Sequence, residues 1–381
     1  MALAAFFLLA SYEFVRSPAN SLFKAAYGAE HLPHIMALVP LCAVALLYGY
    51  GHVLSRLGPR LTLHATTLVC GAFILACFVA LRHTSQAATA VLYVWRELYV
   101  VLLLEQYWSF INSSLSAEQA RQLNGPICGV ASLGSVCGGF LVHRLAPVWG
   151  TSAMLLCGVA LLLPAGLGAA MAYRLAGEPK PTPEKHGPLA LRMFAQSRFL
   201  RLLLLAVIST QVVATALDLH FQTALQVALP NIDAQTAYSG RFFALMALAA
   251  AVLQFVVAPW ALRYVPRLAL HLSLPLLHIG TLCVALLAPG LATIGLSYFV
   301  FKAVDYSLFR AAKETLYVPL SFDERYRAKE IIDVFGYRAG KGATAAVLAI
   351  VPLMYAATAL GAAAIWAVAM VGALSSKTLK T

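Results

Sequence analysis

Residues 61–81, LTLHATTLVCGAFILACFVAL, contain no aspartate, glutamate, lysine or arginine. A run of about 20 apolar residues is what an α-helix needs to cross the hydrocarbon core of a bilayer. The run is one of a series. Comparable windows fall near 2–24, 35–54, 61–82, 87–112, 122–144, 148–173, 199–226, 239–262, 268–288, 291–317, 331–355 and 357–375. Hydropathy thus predicts about twelve spanning helices. The chain is 61% hydrophobic and 11% charged, whereas soluble domains carry about 25% charged residues. The expected fold class is all-α, a polytopic membrane protein. The first window lacks a basic leader and contains Glu13 and Arg16, so it reads as a retained helix, not a cleaved signal peptide.

The loops alternate in charge. Arg56 and Arg60; Arg121; Arg174, Lys180, Lys185, Arg192 and Arg198; Arg263 and Arg267; Arg325, Arg327 and Lys329; and Lys377 and Lys380 fall on one side. The other side has Lys24, Arg82, Arg144 and Arg241. The positive-inside rule places both termini in the cytoplasm. The net charge of +12 then reports topology, not nucleic-acid binding. The longest polar connector, RLAGEPKPTPEKHGPLALR from Arg174 to Arg192, reads as a solvated linker. It predicts an N-terminal six-helix bundle over 1–174, a cytoplasmic linker over 175–197 and a C-terminal six-helix bundle over 198–381. This 6+6 layout is that of the major facilitator superfamily. The turn GHVLSRLGPR, Gly51 to Arg60, resembles that superfamily's G-x-x-x-D-R-x-G-R-R loop, with Ser55 in place of the acid and Pro59 in place of an arginine.

Several function classes drop out. The seven cysteines sit in apolar runs without a C-x-x-C pair, and the histidines show no metal spacing, so neither disulfide, metal nor cofactor is expected. No nucleophile and base constellation suggests an enzyme. In the fifth window, Gly125/Gly129 and Gly134/Gly138 are small-x-x-x-small pairs that predict close helix packing.

Ionisable groups at membrane depth are costly and usually face a cavity. Four windows carry them as stripes. The first has Glu13, Arg16, Ser17 and Asn20 on one face. The fourth has Tyr93, Glu97, Trp108 and Asn112, with Arg96 and Glu105 beside them. The seventh has Gln211, Thr215, Asp218 and Gln222, and the tenth Lys302, Asp305, Tyr306, Phe309, Arg310 and Lys313. These are equivalent helices of the two halves. A shared cavity explains that better than scattered pairs such as Glu13 with Arg16, or Lys302 with Asp305, that merely neutralise themselves.

The block KAVDYSLFRAAKETLYVPLSFDERYRAKEIIDVFGYRAGKG resembles the signature of the nucleotide transporter (ATP/ADP translocase) family, K-Y-S-L-F-D-P-x-K-E-x-x-Y-I-P-L, a charged loop, then K-x-x-x-D-V-x-x-x-x-x-G-K. Tyr306, Ser307, Leu308, Phe309, Lys313, Glu314, Tyr317, Pro319, Leu320, Lys329, Asp333, Gly340 and Lys341 match it. The segment from Leu92 to Gly125 is similar to a second family block, with Glu97, Trp108 and Asn112 on the pattern. LDLHFQ puts Asp218 on a family carboxylate, and FVRSPANSLF puts Arg16 on a family arginine. The departures concern substrate. Ala19 and Asn20 stand where the nucleotide carriers have Lys-Asp, Gln222 replaces a lysine, Asp305 a lysine and Arg310 an aspartate.

The resemblance and the stripes together imply an alternating-access secondary transporter of an organic anion, such as a nucleotide or another phosphorylated metabolite moved by exchange, with substrate held near the midplane. Arg16, Arg310, Lys313, Lys341, Lys302 and Asn112 are the expected substrate contacts. Glu97, Asp218, Glu13 and Asp305 are the expected coupling or gating acids. The rival readings are a proton-coupled carrier of a non-nucleotide solute (metabolite, peptide or siderophore) and a non-transporting membrane interaction protein. The expected partners are a small anion and the lipid bilayer, with the chain a monomer.

Overall fold

The computed structural model describes residues 1–178, 191–318, 320, 328, 329, 331–351 and 354–375. The loop cations Lys180, Lys185, Arg325, Arg327, Lys377 and Lys380, the matched Pro319 and most of the expected linker lie outside the described residues, as do the side chains of Arg121 and Arg192.

A backbone in hydrocarbon must satisfy its own polar groups, and among the described residues every regular element is helical. In chain order these are α1 (Ala2–Tyr27), α2 (Leu32–Arg82), α3 (Gln86–Ser114), α4 (Ala117–Trp149), α5 (Ala153–Ala176), α6 (Leu191–Gln196), α7 (Arg198–Ala228), α8 (Ile232–Val252), α9 (Ala258–Tyr264), α10 (Arg267–Leu287), α11 (Leu291–Val304), α12 (Arg310–Tyr317), α13 (Tyr337–Ile350) and α14 (Tyr355–Leu374). Widened π-helical turns join α8 to α9 (Leu253–Val257) and α11 to α12 (Asp305–Phe309), and a third opens α13 (Ile331–Gly336).

All twelve apolar windows fall on these helices. α2, at 51 residues, holds two of them and breaks at Gly58, whose φ of 74° is open to glycine at little cost. The backbone N–H of Arg60, just past the break, donates to Glu178 Oε1 at 3.2 Å. Among the described residues, eight helical stretches are long and apolar enough to cross a membrane. The windows that fall short, on α1, on α11 with α12, and on α13, carry the intramembrane charges Arg16, Lys302 and Lys341 among others.

The described chain gathers into two compact units. One takes Met1–His31, α2 from Leu38 onward, α3, α4, α5 and Leu229–Leu248. The other takes Leu32–Ala37, α6, α7 and the chain from Ala249. In the first, α1 packs against α3, α4 and α5. A Cβ on Gly134 would strike the Phe6 carbonyl, and one on Gly138 would lie 2.8 Å from Ala10 Cα. This is the close packing expected of that glycine pair. In the second, α7 packs against α11, α13 and α14. The first window thus contacts the fourth to sixth as the seventh contacts the tenth to twelfth, the pattern of a repeat.

Several charges are placed differently from expectation: Arg144 lies inside α4 and Arg241 inside α8, not in loops. Lys24 was assigned to a loop, but α1 continues past it to Tyr27 and Lys24 is only 1% exposed. The hydropathy window ended early because Lys24 itself lowers the average.

Candidate functional site

In the first unit the polar stripes of α1 and α3 meet. Arg16 Nη2 donates to both Glu13 oxygens, at 3.0 and 2.7 Å, as i,i+3 neighbours on one helical face can. The guanidinium also lies over the Phe243 ring, 3.6 Å from its centroid, and 5.1 Å from that of Tyr12. On α3, Arg96 Nη2 lies 3.3 Å from Glu97 Oε1 and its guanidinium lies over Tyr93 at 4.2 Å. The two pairs form one group: Glu13 is within the field of Arg96 as well as Arg16, and Tyr12 sits in the field of all four charges. Two acids and two bases balance formally, which is how charge is tolerated at membrane depth. Asn20, one turn beyond Arg16, is 2% exposed, and its Oδ1 has no hydrogen-bond partner among the described residues. Asn112 is exposed near the far end of α3, and the structure does not bring it to this group.

In the second unit a cavity of about 230 Å³ opens among α7, the π-turn at 305–309, α12, the π-turn at 331–336 and α13. Arg310 and Lys313 supply its cations, and Asp305, Glu314 and Asp333 its acids. Gln211, Tyr306 and Tyr337 add neutral polar groups. Two of the three π-turns thus border this cavity. A π-turn inserts one residue into a helix and often marks a functional site.

The cations are differently engaged. Lys313 Nζ meets Asp333 Oδ1 at 2.5 Å, and the Tyr317 hydroxyl donates to the same oxygen at 3.2 Å. Lys329 holds Glu314 at 2.6 Å. Lys302 is 8% exposed, with its ammonium 5.0 Å from the Tyr306 ring centroid, and together with Arg310 and Lys313 it acts on the buried Asp305. Arg310 is exposed in the cavity wall and, among the described residues, has no ion-pair partner. Lys341 is half-buried on α13 and does not line this cavity. Asp218 is half-buried on α7, where the Gln222 amide donates to it at 3.5 Å.

Thus the structure brings Arg310, Lys313, Asp305 and nearby Lys302 together in one unit, and Glu13, Arg16 and Glu97 in the other. It leaves Asn112, Lys341 and Asp218 outside both groups. Sequence reasoning missed Tyr337 and Phe243. Tyr337 occupies an unassigned position between Asp333 and Lys341 in the motif. No sequence pattern links Phe243 to Arg16, because the two meet only through packing.

The fold is shared with solved transporters. A bacterial homologue of the iron transporter ferroportin, in an inward-facing state, superposes with a TM-score of 0.73 at 12% identity, covering 98% of this chain and 99% of that one. The nucleoside transporter NupG gives 0.68 at 14% identity, covering 99% and 98%. A D-xylose–proton symporter gives 0.71 at 13%, covering 100% and 98%. No curated protein matches the sequence. The chain thus has the polytopic all-helical fold of these transporters. Residues 271–377 match the family model of the TLC ATP/ADP transporters. The resemblance drawn from the 302–341 block is borne out over that part of the chain, while its counterparts on α1, α3 and α7 lie outside the matched stretch.

Proposed function

We propose that the chain is an alternating-access exchanger of organic anions, with nucleotides or other phosphorylated metabolites as the substrate class. In this reading residues 1–174 and 198–381 are the two six-helix halves. The 175–197 linker and both termini face the cytoplasm of a bacterial inner membrane, and the chain acts as a monomer. The observation that carries the reading is the cavity bearing Arg310 and Lys313. A guanidinium can grip a phosphate through two hydrogen bonds, and an ammonium adds a point charge. Arg310 has no ion-pair partner to give up among the described residues. Lys313 has Asp333, so an incoming anion must compete with that carboxylate. When the anion leaves, Asp333 reclaims the lysine. Such competition favours exchange, because an empty site is held shut by its own ion pair. Lys302 and Asp305 support the cavity wall, and Arg16 offers a second cationic surface on the other unit, already aimed by Glu13 and Phe243.

The test is counterflow in proteoliposomes. Vesicles preloaded with ADP are expected to take up labelled ATP or another phosphorylated metabolite, and empty vesicles are not. Equal uptake by empty vesicles would remove exchange from the reading. No counterflow by any phosphorylated compound would remove the substrate class.

A further inference from the structure

A second feature lies along α4 and α8. Within the first unit, α4 and the N-terminal half of α8 are locked along a seam. Gly139 and Gly240 cross so closely that a Cβ on either would lie under 3 Å from the other's carbonyl oxygen. The His143 ring donates from Nδ1 to the Ala237 carbonyl at 3.1 Å. The backbone N–H and hydroxyl of Thr151 donate to Asp233 Oδ1 at 2.7 and 2.6 Å. Beside this seam runs a groove of about 580 Å³, walled by Pro147 on α4 and by Ala234, Tyr238, Phe242 and Leu245 on α8.

The groove contains one full charge, Arg241. The residue is exposed and, among the described residues, has no ion-pair partner. Its depth can be read from the seam. Trp149, 56% exposed at the end of α4, is the residue type that marks a membrane–water interface. The Thr151–Asp233 contact fixes the first turn of α8 at that level. Arg241 follows eight residues later, about 12 Å into the bilayer at the helical rise. Helical side chains lean towards the N-terminus, here back towards the interface, and the Arg241 charge acts on Tyr238, one turn nearer that end. A long arginine can therefore lift its guanidinium towards the headgroups while its stem stays in the groove. Left alone at that depth, the charge would be costly.

We propose that this groove is a binding site for an anionic phospholipid, its phosphate on Arg241 and one acyl chain along Pro147, Ala234, Phe242 and Leu245. The apolar walls match an acyl chain, and the lone cation matches a phosphodiester. A headgroup amine would add a second positive charge beside Arg241, so phosphatidylglycerol fits better than phosphatidylcholine.

The test is native mass spectrometry of the full-length protein released from nanodiscs of equal phosphatidylglycerol and phosphatidylcholine. The wild type is expected to retain phosphatidylglycerol in preference. Arg241→Gln should lower retention about fivefold, the weight of one basic residue against an anionic lipid surface. Ala234→Trp, which fills the chain channel without touching the charge, should also lower it, while Arg263→Gln, an exposed cation on α9, should not. Equal retention of the two lipids by wild type overturns the proposal without relying on any variant. So does undiminished phosphatidylglycerol on Arg241→Gln, or its displacement by inorganic phosphate alone. Conversion of a dimer to a monomer by Arg241→Gln would assign the groove to a second copy of the chain instead.

Discussion

Lys313 and Asp333 stand twenty positions apart in sequence and meet at 2.5 Å in the cavity of the second unit. Their side chains are 13% and 22% exposed, so the pair is shielded enough to matter and open enough to be broken by a competing anion. Lys313→Ala is expected to abolish exchange while membrane expression persists. Asp333→Asn leaves the lysine unclaimed, so the labelled anion should bind more tightly and turn over more slowly. Counterflow kinetics give both values, and weaker binding in Asp333→Asn would show that the carboxylate is not the anion's competitor.

Arg310 should matter more than a loop cation. Arg310→Gln is expected to raise the KM for the exchanged anion, while Arg263→Ala, whose charge serves topology, leaves transport near wild type. Titrating external substrate in the same vesicles separates the two, and indistinguishable curves would move the anion site elsewhere.

The Arg16 guanidinium lies on the Phe243 face at 3.6 Å. Desolvated cation–π contacts contribute about 1–2 kcal/mol. Phe243→Leu should therefore lower the thermal midpoint of the purified protein and reduce exchange, and Phe243→Tyr, which keeps an aromatic face, should retain most of both. A midpoint unchanged in Phe243→Leu would show that the ring contributes nothing to holding Arg16.

Glu97 and Asp218 lie on α3 and α7. If anions exchange by competing with fixed carboxylates, Glu97→Gln and Asp218→Asn should impair exchange, and uptake should respond little to an imposed pH gradient. Strong gradient-driven uptake by wild type, lost in both amides, would instead establish proton coupling. Amides that transport normally but melt earlier would reduce the two acids to helix-pinning roles.

Orientation can be read by labelling. Single cysteines at Lys185 and Lys380, in a chain stripped of its native cysteines, should resist an impermeant maleimide in intact cells and react in inverted vesicles. Reaction from outside would reverse the assigned topology.

The helices were legible because lipid enforces a simple rule: long apolar runs must be helical, and breaks between them are short. Even the Gly58 break within α2 lay in a turn already visible in GHVLSRLGPR. Side-chain partnerships were less legible. The Glu13–Arg16 pair follows from i,i+3 spacing, but Arg16 on Phe243 and Lys313 on Asp333 depend on how separate helices pack. Lys24, Arg144 and Arg241 read as loop charges because a residue-by-residue hydropathy average cannot distinguish a charge ending a helix from one inside it. Arg310 gained prominence over Lys341 only once the cavity wall could be traced.

The π-turn at Asp305–Phe309 makes the face presented by α12 depend on chain length as well as composition. The widened turn absorbs one extra residue, so removing one there, Ser307 for example, would let the helix close to a regular pitch with Arg310 and Lys313 still facing the cavity. Removing Ala311, in the regular helix of α12, would instead turn everything after it by about 100° and carry Lys313 away from the cavity. A single-codon deletion of Ala311 should therefore silence transport as fully as losing Lys313, whereas deletion of Ser307 should be far better tolerated.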